Sequence, residues 1–451
     1  MAYRGLMKRG VTSVASVAVA LLSLGGSAGG ATIEVTDTAD DFFAAPGGTC
    51  SLREAVQAAN DDADFGGCAR EGGGAVDRIL LEGGVTHTRS RAGADDTNDA
   101  GDLDITGETV IKALGEGKAV IDAVDIDRVL EIHPGATLIA RRLSLQNGAA
   151  DPAPASSNAG GGILNRGRLE LTASIIFSNE IPVNMGCACG GGLASFGNAV
   201  LDRVLISQNI ADLNFGGGIA HVSGRLRLRR SSVATNRAGS GGGIGLAGDD
   251  SARVRIERST ITENLALDTA AVGEFEWGGG IYVGSEAGAS QRLTNVTISG
   301  NRAGADGGGI YLFSGAVRLN AATVTANEAD ADEDSSGDGG GVFANDGGVR
   351  LRNSILWGNI DPDAGSEDCV EVVSRGHNLF GQGTGCDPLS SDVTTLAAKL
   401  KPLGDYGGPT QTHALRKGSP AIGLAGPNSA PKRDQRGSKR DGNPDAGAFE
   451  R

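Results

Sequence analysis

The stretch that decides the fold is GGGIYVGSEAGASQRLTNVTISGN, residues 278–301, followed after five residues by a second version of itself, GGGIYLFSGAVRLNAATVTAN, residues 307–327. Three glycines and an aliphatic residue open each unit, and an asparagine closes it. Working outward, glycine triplets begin at Gly160, Gly190, Gly216, Gly241, Gly278, Gly307 and Gly339. The closing residues are Asn179, Asn209, Asn236, Asn264, Asn301, Asn327 and Asn359. From first glycine to asparagine the gap is 19 to 23 residues, whereas from asparagine to the next triplet it ranges from 5 to 14. A fixed span joined by a variable corner describes stacked turns of a solenoid, with insertions confined to one edge.

Counting back from each asparagine gives the turn its shape. Aliphatic residues stand three places back (Ile298, Val324) and eight places back (Leu293, Leu319) in every unit. Strands bury every second residue, so these two slots lie on opposite parities and the chain must bend between them. With the strand after the glycines, this predicts three short strands per turn: an all-β, right-handed, single-stranded parallel β-helix. Equivalent slots should then stack about 4.8 Å apart. The closing asparagine is expected at a left-handed corner, with its amide hydrogen-bonded to the asparagines above and below.

Residues 1–31 read as a signal peptide. Arg4, Lys8 and Arg9 precede an apolar run from Val11 to Leu24 and a small-residue stretch. Residues 32–76 read as an N-terminal cap, 77–395 as the β-helix and 396–451 as a C-terminal cap folded back along the solenoid. No later run is apolar enough to span a membrane. The protein is therefore expected outside the cell or at the cell surface, with the periplasm left open, as a monomer. The net charge of −15 becomes −18 once a leader with three basic residues and no acid is removed, which argues against nucleic acid as partner.

Six cysteines suit an exported chain. Cys50 pairs locally with Cys68, and Cys369 with Cys386. Cys187 and Cys189, one residue apart, leave a strained bond, free thiols or a shared metal all open. Within TCSLREAVQAAN, residues 49–60, Ser51 and Glu54 make a capping box, and Leu52, Ala55, Val56 and Ala59 share one helical face. Such a helix would cover the open end of the solenoid.

The words Cys50-Ser51-Leu52-Arg53-Glu54-Ala55 and Gly101-Asp102-Leu103-Asp104-Ile105-Thr106 resemble the CSLREA domain of bacterial surface and secreted proteins. Gly407-Gly408-Pro409-Thr410-Gln411-Thr412, Asp434-Gln435-Arg436-Gly437 and Asp445-Ala446-Gly447-Ala448-Phe449-Glu450 resemble the choice-of-anchor Q domain. The triplet-plus-asparagine repeat also resembles that of polymorphic outer membrane proteins, which are adhesins. The resemblance implies a β-helix at the bacterial surface without assigned chemistry.

Three features are candidates for function. Nine places before the closing asparagine stand Arg227, Arg255, Arg292, Arg318 and Arg350, an outward column whose charge is offset either by neighbouring acids such as Glu257 on a hydrated face or by an acidic glycan lying along it. Tyr282, Tyr311 and Phe343 form an aromatic column, with Trp277 and Trp357 in the same turns. It could stack on sugars or be covered by the C-terminal segment. Acidic loops at residues 95–99 and 330–334 offer oxygen ligands to Ca²⁺, though neither has the spacing of a helix–loop–helix calcium site. No catalytic set stands out: His87, His133, His221, His377 and His413 are scattered. The expectation is non-catalytic binding or adhesion, with an extracellular glycan or other surface polymer as ligand and no cofactor required. A polysaccharide lyase or glycoside hydrolase of the pectate-lyase-like type is the rival, and a structural extracellular component the third reading.

Overall fold

The computed structural model describes residues 30–451, apart from 44–46, 94–95, 151–158, 182–189, 249–251, 268–275, 285–289, 335, 346–347, 363–367 and 382–384. The leader expected at 1–31 and the Cys187–Cys189 pair thus lie outside the described residues, save for residues 30 and 31.

Each repeat supplies three short strands, as in Ile281–Val283, Ser290–Thr294 and Thr297–Ser299. The third strands stack into a 12-stranded parallel ladder that follows chain order from Thr86–Thr88 to Val393–Thr394. The first and second strands form two further parallel ladders, joined within one 22-stranded sheet. The result is a right-handed parallel β-helix. Register follows the repeat residue by residue: Ile281 pairs with Ile310, and Ile310 with Val342. The aliphatic slots three and eight places before each asparagine fill one continuous interior, reaching from Ile33 to Cys386.

The bend demanded by parity is present. Six places before each asparagine the backbone turns left-handed, at Ala173, Arg203, Arg230, Arg258, Asn295, Ala321 and Asn353 (φ between 50° and 57°). The second corner corrects the expectation. The left-handed residue is not the asparagine but its predecessor: Ser178, Gln208, Thr235, Glu263, Gly300, Ala326 or Gly358. The asparagine instead points inward, at most 1% exposed. Its amide nitrogen donates to the amide oxygen of the next asparagine at 2.8–2.9 Å in all six links. That oxygen also accepts from the backbone N–H of the preceding asparagine at 3.0–3.1 Å. The second amide hydrogen goes to a carbonyl of the turn before, as Asn264 to Val233. Every polar valence of the buried amide is thereby used. The third glycine of each triplet lies on this ladder: a Cβ on Gly280 would stand 3.1 Å from the Asn301 amide and 2.5 Å from the Gly309 carbonyl.

A fourth, shorter ladder was not foreseen. After the asparagine, Ile210–Phe215, Arg237–Ser240, Leu265–Ala266 and Arg302–Ala303 pair in sequence order. The insertion-tolerant edge thus remains β-paired for its first residues and diverges only beyond them.

At the N-terminal end, helix Leu52–Asp61 opens with the expected reciprocal Ser51–Glu54 cap. Its Leu52, Ala55 and Val56 join the interior of the first turns. Thr32–Glu34 already pairs with Asp77–Glu82, so the first rung of the solenoid lies within the stretch expected to be cap alone. Disulfides link Cys50 to Cys68 and Cys369 to Cys386.

Beyond Thr394 the chain turns back through an antiparallel hairpin, Leu400–Gly404 with Thr412–Leu415. It docks on the third-strand face, where Thr260, Thr297 and Thr323 occupy one slot in successive turns. Gln435, fully buried, bonds to Thr260 and Thr297 at 2.9 and 2.7 Å. His413 bonds to Ser299 at 2.9 Å, and Ala448 N–H donates to Thr323 at 3.0 Å. Beside these bonds, Ile355 and Leu379 pack with Ala414, Leu415 and Phe449.

Candidate functional site: an arginine stripe and a buried carboxylate–histidine cluster

The second strands present their odd side chains to solvent. In Arg225–Arg229 and Arg253–Glu257 the burial pattern alternates exposed and buried, with Leu226, Leu228, Val254 and Ile256 inside. Register then makes columns of the outward positions. Arg227 stacks on Arg255, Arg255 on Arg292, Arg292 on Arg318 and Arg318 on Arg350. A second, shorter column places Arg225 beside Arg253. All five arginines expected on sequence grounds are therefore adjacent, and Arg225 and Arg253 widen the stripe.

Neighbouring guanidinium groups about one strand step apart, roughly 4.8 Å, lie well inside a Debye length of about 8 Å. Offsetting charge is scarce. Among the described outward positions of these five strands the one acid is Glu257, which takes Arg227 at 3.1 Å and Arg255 at 3.9 Å. Arg292 and Arg318 have no ion-pair partner among the described residues. A shallow groove of about 530 Å³ runs between Arg225, Arg227, Arg253, Arg255 and Arg292. It is floored by Leu226 and Val254. The stripe fades at both ends: Val200 precedes Arg227 in the column, and Val373 follows Arg350.

The aromatic column exists but turns its faces on itself. Tyr282, Tyr311 and Phe343 are in register. Tyr282 and Tyr311 stack at 5.8 Å and 5°, and Tyr311 and Phe343 at 5.4 Å and 7°. Trp277 lies nearly parallel to Tyr311, 5.4 Å away. Tyr311 is only 4% exposed, and burial pushes its hydroxyl up to about 12. Rings that stack along the solenoid axis use their π-faces on one another. The expected cover by the C-terminal segment is found at Trp357, which packs with that segment on the third-strand face, and not at the three stacked rings.

A second constellation was not visible in the sequence. Asp104 and Glu131 occupy the same slot on adjacent rungs, and His133 follows two residues after Glu131. His133 Nε2 lies 2.7 Å from Asp104 Oδ1. This hydrogen bond, with the charges of Asp104, Glu131 and Asp96, raises the imidazole above its ordinary value. Arg128 and Arg166 each reach one oxygen of Glu131 at 2.8 Å. Arg128 also approaches Asp102 at 3.4 Å, and burial holds the Asp102 carboxyl well above the usual carboxylate range. Asp96, from the loop expected to be a calcium candidate, brings a carboxylate to the same place. The other acidic loop gathers Asp330, Asp332 and Asp334.

The nearby Arg53 is structural. It is 1% exposed, ion-paired with Asp40 at 2.7 Å, and donates to the carbonyls of Asn98, Ala100, Gly101 and Asp102. It fastens the cap helix to the loop that carries Asp96.

No family model matches the chain, and no curated protein matches it. Among solved structures it is similar to the crystal structure of pectate lyase Pel9A. The two share 16% identical residues and a TM-score of 0.41, over 83% of this chain and 88% of the other. The class is fixed by the strand pairing itself: a parallel β-helix. Among its described residues no helix is long and apolar enough to cross a membrane.

Proposed function

We propose that this chain is an exported or surface-bound, non-catalytic glycan-binding protein, and that an acidic polysaccharide lies lengthwise on the arginine stripe. One observation carries the reading: a continuous run of in-register arginines with Glu257 the one acid among the described outward positions of those strands, on a molecule whose net charge is −15. Such a stripe is costly to maintain without a polyanion. The strand step is close to the repeat of a sugar in an extended chain, so successive carboxylates or sulfates can meet successive guanidinium groups. The two disulfides and the CSLREA-like and choice-of-anchor-Q-like motifs support an extracellular setting.

The lyase or hydrolase reading needs carboxylates and a base open to a polymer. The carboxylates nearest that description, Asp104 and Glu131, are each 1% exposed, and both oxygens of Glu131 are held by arginines.

The test uses the chain without its leader, polyuronate and sulfated glycans as ligands, and a neutral glucan as control. Saturable binding that weakens with salt is expected. Arg292→Ser with Arg318→Ser should weaken it about tenfold, at about 0.5–1 kcal/mol per exposed charge pair. Equal binding by the double variant, or release of unsaturated or reducing ends from the polymer, overturns the reading.

A further inference from the structure

We propose that Asp96, Asp104, Glu131 and His133 form a site for one divalent transition-metal cation of the zinc class. One donor atom from each residue lies within 4.8 Å of all the others. The convergence is built by the fold. Asp104 and Glu131 are paired across adjacent rungs, His133 leaves the second rung on the same side, and Asp96 closes over them from a loop. That loop is anchored by Asn98, whose side chain bonds the backbone of Asp104 at 2.8 and 3.0 Å.

An independent observation points to a missing partner. Asp104 is 1% exposed, its Oδ1 is bonded to His133, and its Oδ2 is buried with no hydrogen-bond partner. A buried carboxylate oxygen without a donor is costly. A cation at this oxygen removes that cost.

The donor set selects the kind of ion. Calcium and magnesium take oxygen ligands, whereas an imidazole nitrogen among carboxylates suits zinc and its neighbours. Tetrahedral zinc with bonds of about 2.0–2.1 Å needs ligand atoms about 3.3 Å apart. The donors must therefore draw inward by about an ångström. Asp96 is exposed and the His133 side chain is 20% exposed, so both can swing. On binding, the proton shared by His133 Nε2 and Asp104 leaves, and the nitrogen lone pair and the carboxylate oxygen turn to the metal. Arg128 and Arg166 orient Glu131 from behind, as outer partners of ligands commonly do. The cation would fasten the Asp96 loop to the first turns of the solenoid.

The experiment is calorimetric titration of zinc chloride, with calcium chloride in parallel, into the chain bearing Cys187→Ser and Cys189→Ser. Those substitutions leave no sulfur at 187 and 189 to compete for zinc. One saturating equivalent of zinc and a melting temperature raised by several degrees are expected, with calcium at least 100-fold weaker. His133→Ala should abolish both effects, while Asp332→Asn with Asp334→Asn should leave them unchanged. Because His133 is partly exposed, its variant should keep the metal-free melting temperature within a few degrees. Asp104→Asn gives a second test: it removes the carboxylate charge and one ligand oxygen, so zinc uptake should be lost, and uptake that survives it overturns the proposal. Absence of saturable zinc uptake, uptake that survives His133→Ala, or calcium binding as tight as zinc overturns the proposal.

Discussion

At the scale of single residues, the interior is not wholly aliphatic. The inward slot that holds Leu246, Val283 and Leu312 in later turns is taken by Asn165, Ser195 and His221 in earlier ones. His221 is fully buried, with Nε2 3.3 Å from the Gly224 carbonyl and Nδ1 unbonded. Burial lowers it to about 4, against an ordinary value near 6.5. The unfolded chain therefore holds more protons between those values, and stability falls as pH is lowered from 6.5 towards 4. The contribution is at most about 3 kcal/mol. His221→Leu, which copies the next turn, should remove this part of the acid sensitivity and stabilise the protein at pH 5, as read by urea denaturation across that range. An unchanged slope would show that other groups carry it. The buried imidazole was legible as a residue in a strand. Its inward direction follows by parity from Ile219, two residues earlier, whereas the lack of a partner for its Nδ1 is visible only in the structure.

At the scale of the element, the asparagine ladder shows what a repeat can and cannot disclose. Its recurrence and stacking were readable because the same side chain returns every turn. The corner was misplaced by one residue because the left-handed position accepts Ser178, Gln208, Thr235, Glu263, Gly300, Ala326 or Gly358 alike. A strain of roughly 1–2 kcal/mol per non-glycine site is borne there by the amide bonds next door, so sequence is free to vary. Asn264→Ala would leave one hydrogen of the Asn236 amide and the Asn236 N–H without their acceptor, and would take a donor from the Val233 carbonyl. At about 1–3 kcal/mol for each orphaned group, a loss of about 3 kcal/mol or more in chemical denaturation is expected. A change below about 1 kcal/mol would mean that the ladder is ornamental. The arginine column obeyed the same logic and was readable. The cluster at Asp104 and His133 was not, because no glycine triplet sets the register in the first turns. Two residues 29 apart there give no sign that they meet.

At the scale of the whole molecule, one face is given up to docking and another left bare. The third-strand face is covered by residues 396–451, whose motif residues Gln435, Thr412 and Ala448 make the contact. The threonine column that receives them was present in the sequence, but a slot does not say what covers it. Removing residues 396–451 would expose Ile355 and Leu379 and strip Thr260, Thr297 and Thr323 of their partners. The truncated chain should keep its far-ultraviolet β signature, melt several degrees lower, and shift Trp357 emission to the red. Equal melting temperatures would show that the segment is a separate passenger. The N-terminal end is closed by helix Leu52–Asp61, so aggregation of the truncated form should proceed through the uncovered flank.

The amide column also has a direction. Each asparagine gives its backbone hydrogen and one amide hydrogen to the turn that follows, and the last, Asn359, gives these two to the carboxylate of Asp368, an acceptor in place of the next amide. Every intermediate link is interchangeable, with partners 26 to 37 residues apart, while the terminus is chemically distinct. Duplication of one whole turn inside the column would add a link without disturbing either end, and would lengthen the arginine stripe by one rung. Insertion of half a turn would break both. The gene can thus grow or shrink this protein in units of a turn.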